Sequence, residues 1–313
     1  MDTFVHAVDR RTVLAGALGG LVCLSLARIG TASAGNQPQL TRLNDKLALI
    51  SGAGGNVLAL VTDDGLVLVD SGGPEHTRAL LAQLRTLPGK GHVRTLFNTH
   101  WHLDSTGSNE TFGKSGAKII AHEKTRLWLA TDHYVPAEDR YQKAQPLAAQ
   151  PTETFYTHAD MTAGSEKIEY GYLLEAHTDG DIYVFFRNAN VLAVGGAASP
   201  DRDPELDWFA GGWIGGRLDA LALILKLSNE ETQIVPAYGP AVTRARIQAE
   251  RDMLQVIYDR MVEQIRRGLS NEDMLAAGVM QGLTRTWNDP KKFVYDAHKG
   301  LWAHHNTLSA DIV

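Results

Sequence analysis

Two histidines and an aspartate, each separated from the next by one residue, carry the clearest chemical signal in this sequence. They are His100, His102 and Asp104, and they follow residues 93–97, whose alternation of polar and apolar types predicts a β-strand. Side chains two apart share one face of an extended chain, so both imidazoles are expected to point the same way. Two imidazoles and a carboxylate suit a borderline-soft cation such as zinc. The alternative is a chance H-x-H-x-D pattern in a polar loop that leads to Gly107.

Further motifs follow along the chain in a fixed order. One of them places His177 in the sequence Ala-His-Thr-Asp-Gly-Asp. The ordered segments are residues 55–61, 66–72, 98–109, 176–181, 191–196 and 234–240. Together they resemble the metallo-β-lactamase superfamily over roughly residues 45–265. Agreement in order across six segments is far more specific than any single motif.

The resemblance implies an α+β fold, the αββα metallo-β-lactamase sandwich, in which two mixed sheets are flanked by helices. It also implies that His100, His102 and His177 bind one zinc ion and leave its fourth tetrahedral position for water. Zinc held in this way lowers the pKa of its water to about 7 and supplies hydroxide near neutral pH. The implied activity is hydrolysis of an ester, a lactone or an amide, and β-lactams are one substrate that it allows.

Three residues depart from the family pattern at the second metal position. Ser105 replaces a histidine, Gly196 replaces an aspartate or cysteine, and Tyr238 replaces the final histidine. Glycine has no ligand atom, and hydroxyl groups are poor zinc ligands beside imidazole, so one zinc per chain is expected. Only the combined restoration Ser105→His, Gly196→Asp and Tyr238→His is expected to rebuild the second position.

Asp104 is the one metal-type residue that remains at the second position, and it has two possible roles beside a single zinc. It could take a proton from water as a general base, or it could accept a hydrogen bond from the ring N–H of a ligand. Tyr238 could donate its O–H to an oxyanion or fill the volume left by an imidazole, and filling is favoured. The losses also leave an alternative function open, a binding protein that keeps the fold and pocket without catalysis.

Other residues rank lower as candidates for the site. Asp70 matches a structural turn aspartate of the family, and either Asp179 or Asp181 is expected to fix the backbone around His177. His122 is expected at the surface. An aromatic wall beside the pocket, or alternatively ordinary core, is expected of Trp208, Phe209 and Trp213. A surface position is expected of the tail histidines His298, His304 and His305.

Residues 1–34 are typical of a twin-arginine export signal. Arg10 and Arg11 precede an uncharged apolar run, residues 13–27, which is too short to span a bilayer comfortably. Small residues at the end of the segment suit cleavage. The alternative is an N-terminal membrane anchor. The signal predicts a periplasmic protein.

The mature chain, residues 35–313, is expected to form a single domain with a C-terminal helical tail. The only cysteine, Cys23, lies in the signal, so neither a disulfide nor a thiolate ligand is available to the mature protein. A net charge of −6 gives no electrostatic case for binding nucleic acid or, after signal cleavage, a membrane. The expected partner is therefore a small-molecule substrate.

The elements that must position the site alternate between strands and helices. Strands are predicted over residues 47–50, 56–62, 66–69, 93–97, 118–121, 183–186 and 191–194. Helices are predicted over residues 74–87, 122–130, 217–227 and 242–267. Between residues 132 and 162, prolines interrupt any period, which predicts an irregular excursion over the active face.

Overall fold

A computed structural model describes residues 37–88, 91–136 and 139–308, with side chains described as far as residue 304. In these ranges two main β-sheets lie between helices, which confirms the predicted α+β sandwich. The predicted export signal lies outside the described residues. In the described part of the chain, no helix is both long enough and apolar enough to cross a membrane.

The first sheet has seven strands. They are β1 (Gln39–Arg42), β2 (Leu47–Ala53), β3 (Gly55–Thr62), β4 (Gly65–Val69), β5 (Val93–Phe97), β6 (Lys118–His122) and β9 (Glu153–Phe155). The spatial order is β1-β2-β3-β4-β5-β6-β9, antiparallel from β1 to β4 and parallel from β4 to β9. Parallel strands end at the same edge of a sheet, so the turn after β4 and the histidine loop after β5 meet there.

The second sheet has five strands in chain order. They are β10 (His158–Ala163), β11 (Glu166–Tyr172), β12 (Ile182–Phe186), β13 (Val191–Gly195) and β14 (Gln233–Pro236). Only the pair β13 and β14 is parallel. A separate antiparallel ribbon consists of β7 (His133–Val135) and β8 (Arg140–Gln142).

Eight α-helices cover the sheets and connect their strands in the described ranges. They are α1 (Thr77–Leu84), α2 (Leu103–Thr106), α3 (Asn109–Lys114), α4 (Glu123–Ala130), α5 (Ile214–Leu227), α6 (Arg244–Arg266), α7 (Asn271–Ala276) and α8 (Pro290–Leu308). Helix α8 is the predicted C-terminal tail. Its buried face packs in the same hydrophobic cluster as α5 and α6.

Strand β4 shows how the sequence creates four layers. Its five residues are all buried, because alternate side chains enter two different cores. Leu66 and Leu68 point outward to a cluster that includes Leu80 of α1. Val67 and Val69 point inward, into the cluster shared with the second sheet. Two buried faces per strand therefore give the order helix, sheet, sheet, helix.

Residues 132–162 contain more regular structure than their sequence predicts. The segment forms the β7–β8 ribbon, the edge strand β9 and the start of β10. Strand β9 pairs with β6, about thirty residues earlier in the chain, and β10 pairs with β11. Pairing with distant partners stabilises short strands that have no clear local period, which is why the pattern alone gave no signal.

Candidate metal centre

His100 is oriented by hydrogen bonds that begin in the turn after β4. Asp70 in that turn has a φ of 62° and accepts hydrogen bonds from the Thr99 amide at 2.7 Å and the Thr99 hydroxyl at 2.8 Å. The same hydroxyl lies 3.0 Å from Nδ1 of His100. With Asp70 ionised, the Thr99 hydroxyl donates its proton to the carboxylate and accepts one from Nδ1. In that ionised state, which is populated above the raised Asp70 pKa of about 8 in the metal-free protein, the lone pair of His100 is on Nε2.

His102 is oriented by a carboxylate from the other half of the molecule. Its Nε2 lies 2.9 Å from Oδ2 of Asp207, to which it donates a hydrogen bond, so the lone pair is on Nδ1. Burial lowers the pKa of His102, but the hydrogen bond and the charges of Asp207, Asp104 and Glu205 outweigh burial and raise it. For Asp207 the signs are reversed. Burial alone would raise the pKa of its carboxyl, but the hydrogen bond from His102 outweighs burial and lowers it.

His177 lies in the turn before β12, which is fixed by a buried carboxylate. Oδ2 of Asp181 accepts the backbone amides of His177 at 2.5 Å and Thr178 at 2.9 Å, so Asp181 is the residue that fixes this turn. Asp179 instead accepts a hydrogen bond from the indole of Trp128. Nδ1 of His177 donates to the carbonyl of Glu205 at 2.8 Å, which leaves the lone pair on Nε2.

These hydrogen bonds aim three imidazole lone pairs at one point. The candidate ligand atoms of His100, His102 and His177 all lie within 4.8 Å of one another. Nε2 of His177 is only 3.0 Å from Nδ1 of His102, and two lone pairs at this distance repel unless a proton or a cation lies between them. Burial, followed by the neighbouring imidazoles, lowers the pKa of His100 and of His177, so both are neutral ligands. The donor set therefore fits a divalent metal such as zinc.

Asp104 adds a carboxylate to this centre. Its Oδ1 is shielded from solvent, has no hydrogen-bond partner among the described residues, and lies 3.9 Å from Nε2 of His100. Its Oδ2 accepts the hydroxyl proton of Tyr238. Asp104 thus has one oxygen held in place and the other directed toward the imidazole cluster.

Tyr238 does more than fill the volume of an imidazole. Burial, followed by the charge of Asp104, raises the pKa of Tyr238, so the phenol is a neutral donor to that carboxylate. The guanidinium of Arg202 stacks on the phenol ring at 3.9 Å and pairs with Glu205. A phenol and a guanidinium thus occupy the side of the centre where the family has its second metal.

Gly196 is required by the geometry of the first metal position. A Cβ atom there would lie 2.3 Å from Cδ2 of His177, which no side chain tolerates without displacing the ring. The positive φ of this turn belongs to Gly195, at 52°. Arg217, buried in an ion pair with Glu250 at 2.9 Å, donates to the Gly196 carbonyl at 2.8 Å and holds the turn in this position.

The second metal position does not fit a cation. Ser105 is buried in α2, where its backbone carbonyl accepts the Ser71 amide at 2.7 Å. A cavity of about 10 Å³ remains between His100, Asp104, Tyr238 and Arg202, which is space for about one water molecule. Its lining includes the Arg202–Glu205 ion pair, and neither Gly196 nor the phenol of Tyr238 supplies an imidazole or carboxylate ligand there.

A pocket of about 540 Å³ opens beside the centre. His102, Asp104, His177 and Tyr238 line it, whereas His100 lies behind them and lines the smaller cavity. The remaining surface of the pocket is largely apolar and aromatic. Trp208 and Phe209 line it as the predicted aromatic wall, with Pro74, Leu103, Val135, Pro136 and Leu206.

Among the lower-ranked residues, Trp213 follows the alternative expectation of a core position, whereas His122 and His304 are not the surface residues that were expected. Trp213 belongs to the core rather than to the pocket, and it stacks on His304 at 4.1 Å. His304 is therefore not a free surface residue. His122 is buried, stacks on Tyr172 at 4.1 Å and caps the first turn of α4. The side chain of His305 lies outside the described residues.

The sequence patterns missed the residues that support the ligands. Asp207, Glu205 and Arg202 belong to an irregular loop without a recognisable motif. Lys292 and Asp296 on α8 also line the pocket, although no residue of the tail was expected to belong to the site. Their i, i+4 spacing on a helix was the available signal, since such a pair shares one face.

A two-sheet sandwich with a three-histidine centre at its edge defines a class of metal-binding proteins. A sequence model of the metallo-beta-lactamase superfamily matches residues 51–242. The chain belongs to this superfamily. The metallo-beta-lactamase type 2 of Bacillus cereus is 24% identical over 200 residues, which cover 64% of this chain and 73% of that protein. The metallo-beta-lactamase IND-1 of Chryseobacterium indologenes is 29% identical over 139 residues, which cover 44% of this chain and 52% of that relative.

Solved structures agree on the fold. A metallo-beta-lactamase from Pontibacter korlensis superposes with a TM-score of 0.56 at 21% identity, covering 70% of this chain and 99% of its own. The stereoselective inverting sec-alkylsulfatase Pisa1 from Pseudomonas sp. gives a TM-score of 0.63 at 16% identity, covering 87% of this chain and 50% of its own. At these identities the two structures show a shared fold alone.

Proposed function

We propose that this protein is a hydrolase with a single zinc ion that cleaves an ester, a lactone or an amide in a small molecule. The proposal is carried by one observation, the convergence of three imidazole lone pairs and the free Oδ1 of Asp104 beside a mostly apolar pocket. His100, His102 and His177 would hold the metal. When bound, zinc supplies hydroxide near neutral pH by lowering the pKa of a water to about 7.

The residues of this chain have separate tasks in the proposed reaction. Oδ1 of Asp104 accepts one proton as the water oxygen bonds to the substrate carbonyl carbon, and it returns that proton to the departing oxygen or nitrogen. Tyr238 fixes the carboxylate through Oδ2, so that Oδ1 keeps one direction. The aromatic wall at Trp208 and Phe209 excludes water from the rest of the substrate.

Metal content and turnover test the proposal together. The protein without residues 1–34 should hold about one zinc per chain by elemental analysis. Hydrolysis should be screened with p-nitrophenyl esters, simple lactones, an anilide and a chromogenic cephalosporin. His177→Ala should lose zinc and turnover, and Asp104→Asn should keep zinc but lose most turnover. Two tightly held zinc ions, or turnover that survives His177→Ala, would contradict the proposal.

The second candidate function is a binding protein that uses the pocket without catalysis. It is favoured by the engagement of Oδ2 of Asp104 with Tyr238 and by the altered second metal position. This candidate predicts that the zinc-loaded protein binds apolar esters but hydrolyses none of them faster than His177→Ala does. Calorimetric binding without turnover would select it.

We also propose export to the periplasm through the twin-arginine pathway. Arg10 and Arg11 ahead of an apolar run support the proposal. Replacing both by lysine should leave the precursor in the cytoplasm, as detected by fractionation and immunoblotting. Normal processing of the double variant would indicate the general secretory route instead.

A further inference from the structure

The support loop, residues 199–207, supplies the outer hydrogen-bond partners of two of the three histidines in the metal centre. The Glu205 carbonyl accepts from Nδ1 of His177 at 2.8 Å, and Oδ2 of Asp207 accepts from Nε2 of His102 at 2.9 Å. Residues 203–207 nevertheless have no regular secondary structure. A metal site needs its ligands held to within about 0.5 Å, so other parts of the molecule must fix this loop.

A buried ion pair holds the first residue of the support loop. Both carboxylate oxygens of Glu250 on α6 accept the Ser199 amide, each at 3.0 Å. Arg217 on α5 pairs with Glu250 and donates to the Ser199 hydroxyl at 2.9 Å. The side chains of Arg217 and Glu250 are 0% and 1% exposed. Burial removes the hydration of both charges, so such a pair is no more stabilising than apolar side chains of similar size, and stability alone does not account for it.

The segment that leads into α8 holds the support loop at two further points. Arg285 donates to the Ser199 carbonyl at 2.8 Å. Oδ2 of Asp203 accepts the backbone amides of Asn288 at 2.9 Å and Asp289 at 2.8 Å. Arg285, Asn288 and Asp289 lie beyond residue 242, where the match to the superfamily model ends. The C-terminal segment of this chain therefore restrains a loop that supports the metal centre.

We infer that Asp203 is a positioning residue for the metal centre, through which the C-terminal segment aims the support loop at its histidines. Pro204 is buried and its ring fixes φ, so the direction of the chain at Asp203 is passed on to Glu205. Release of Asp203 would let the Glu205 carbonyl turn away from His177, whose ring could then rotate. The inference rests on the metal centre of the proposed hydrolase and is independent of its substrate.

Two substitutions at Asp203 test this role by metal binding. Asp203→Ala removes the acceptor of both amides and should raise the dissociation constant of zinc about threefold to tenfold in chelator competition, the value of one hydrogen bond. The visible absorption of cobalt(II) bound in place of zinc should also change, because it depends on coordination geometry. Asp203→Asn should resemble the wild type in both measurements, since one amide oxygen can accept from both backbone amides.

Asp273→Ala is the matched control, because Asp273 belongs to the same C-terminal segment. Its hydrogen bonds are to Ser270 in the capping box of α7 and not to the support loop. Both alanine variants should lower the midpoint of thermal unfolding by about 2–4 °C, the effect of one lost cap. Only Asp203→Ala should change the zinc affinity and the cobalt spectrum.

The outcomes separate positioning from general destabilisation. Wild-type zinc affinity and cobalt absorption in Asp203→Ala would overturn the positioning role. An equal loss of affinity in Asp273→Ala or in Asp203→Asn would overturn it as well. The expected pattern of metal binding without hydrolysis of any substrate would overturn the proposed hydrolase and leave the positioning role standing. A wild type that binds neither metal would overturn both.

Discussion

The two sides of the metal centre differ in whether their surroundings favour a bound cation. On the side of the three histidines, each imidazole has its outer nitrogen hydrogen-bonded, to Thr99, to Asp207 or to the Glu205 carbonyl. On the other side, a phenol donates to Asp104 and a guanidinium covers the phenol. The histidine side therefore leaves imidazole lone pairs that a cation could accept. On the other side, the carboxylate of Asp104 already receives a hydrogen bond and lies near a positive charge.

The contrast shows that the residues at the expected second position are packed against each other and against the first position. Gly196 leaves room for the His177 ring, and Arg217 holds the turn that makes this possible. The residue that removes a ligand from one metal position therefore protects a ligand of the other. Each of the following predictions tests this difference, beginning with the largest expected effect.

Gly196→Asp should destroy the centre rather than extend it. The new Cβ would overlap the His177 ring, so the ring must move and zinc binding should be lost. Such overpacking should lower the free energy of unfolding by about 1–3 kcal/mol. Elemental analysis and chemical denaturation measure both effects. Gly116→Asp is the control for zinc content alone, because Gly116 faces open space but has a φ of 86° that strains any side chain. This result would oppose the sequence-based expectation that Gly196→Asp, combined with Ser105→His and Tyr238→His, rebuilds a second site. An intact triple variant with two zinc ions would support that expectation instead.

Above pH 8, where Asp70 is ionised, Asp70→Asn should weaken zinc binding roughly 10- to 100-fold although Asp70 is not a ligand. The new amide would donate to the Thr99 hydroxyl, which would then donate to Nδ1 of His100 and place the ring proton on the metal-binding nitrogen. Competition with a chromophoric chelator measures the affinity. The exposed Asp160→Asn is the control, and unchanged affinity in Asp70→Asn would show that the hydrogen-bond chain does not set the tautomer.

The same variant changes how stability depends on pH in the metal-free protein. Burial raises the pKa of Asp70 from 3.8 to about 8, so the folded state binds a proton that the unfolded state has released. The stabilisation is complete below the unfolded pKa and is lost as pH rises through about 8. Thermal melts of the zinc-free wild type should therefore show a Tm that falls as the pH rises from the unfolded pKa of 3.8 to about 8. Asp70→Asn should remove this contribution to the slope.

Zinc affinity should fall as the pH falls, because a proton on Nδ1 of His102 competes with the metal. Burial opposes that proton, but the hydrogen bond and charge of Asp207 raise the pKa of His102 overall. Below that pKa the affinity should drop about tenfold per pH unit. Asp207→Asn should move the onset to lower pH in chelator competition experiments. An onset that does not move would separate Asp207 from the control of this proton.

Tyr238→Phe should have the smallest effect. It removes the donor to Oδ2 of Asp104 without changing any imidazole, so zinc content should stay the same. Turnover of any substrate found should fall by about threefold to tenfold, the value of one hydrogen bond that positions a carboxylate. Tyr141→Phe, at an exposed ring outside the pocket, is the control. Loss of zinc in Tyr238→Phe would mean that the phenol is itself a ligand.

The sequence predicts the parts of this site that lie within ordered motifs. His100, His102 and His177 were identifiable because strand ends and turns of fixed type precede them. Asp207 was not identifiable, since it lies more than one hundred residues from His102 in a loop without periodicity. Gln142 and His133, which line the pocket, were not predicted from the sequence for a related reason. Their three-residue strands are stabilised by each other and have no core-facing pattern of their own.

The ligands come from both sheets, and this has a consequence for unfolding. His100 and His102 follow β5 of the first sheet, whereas His177 precedes β12 of the second. A bound ion would therefore add a cross-link between two halves that already meet through apolar side chains and through hydrogen bonds such as that from the Ile182 amide to the Thr99 carbonyl. At a free zinc concentration one hundred times the dissociation constant, such a cross-link adds about 2.7 kcal/mol to the free energy of unfolding. The free energy of unfolding would then rise with the free zinc concentration, and the midpoint of thermal unfolding would rise with it.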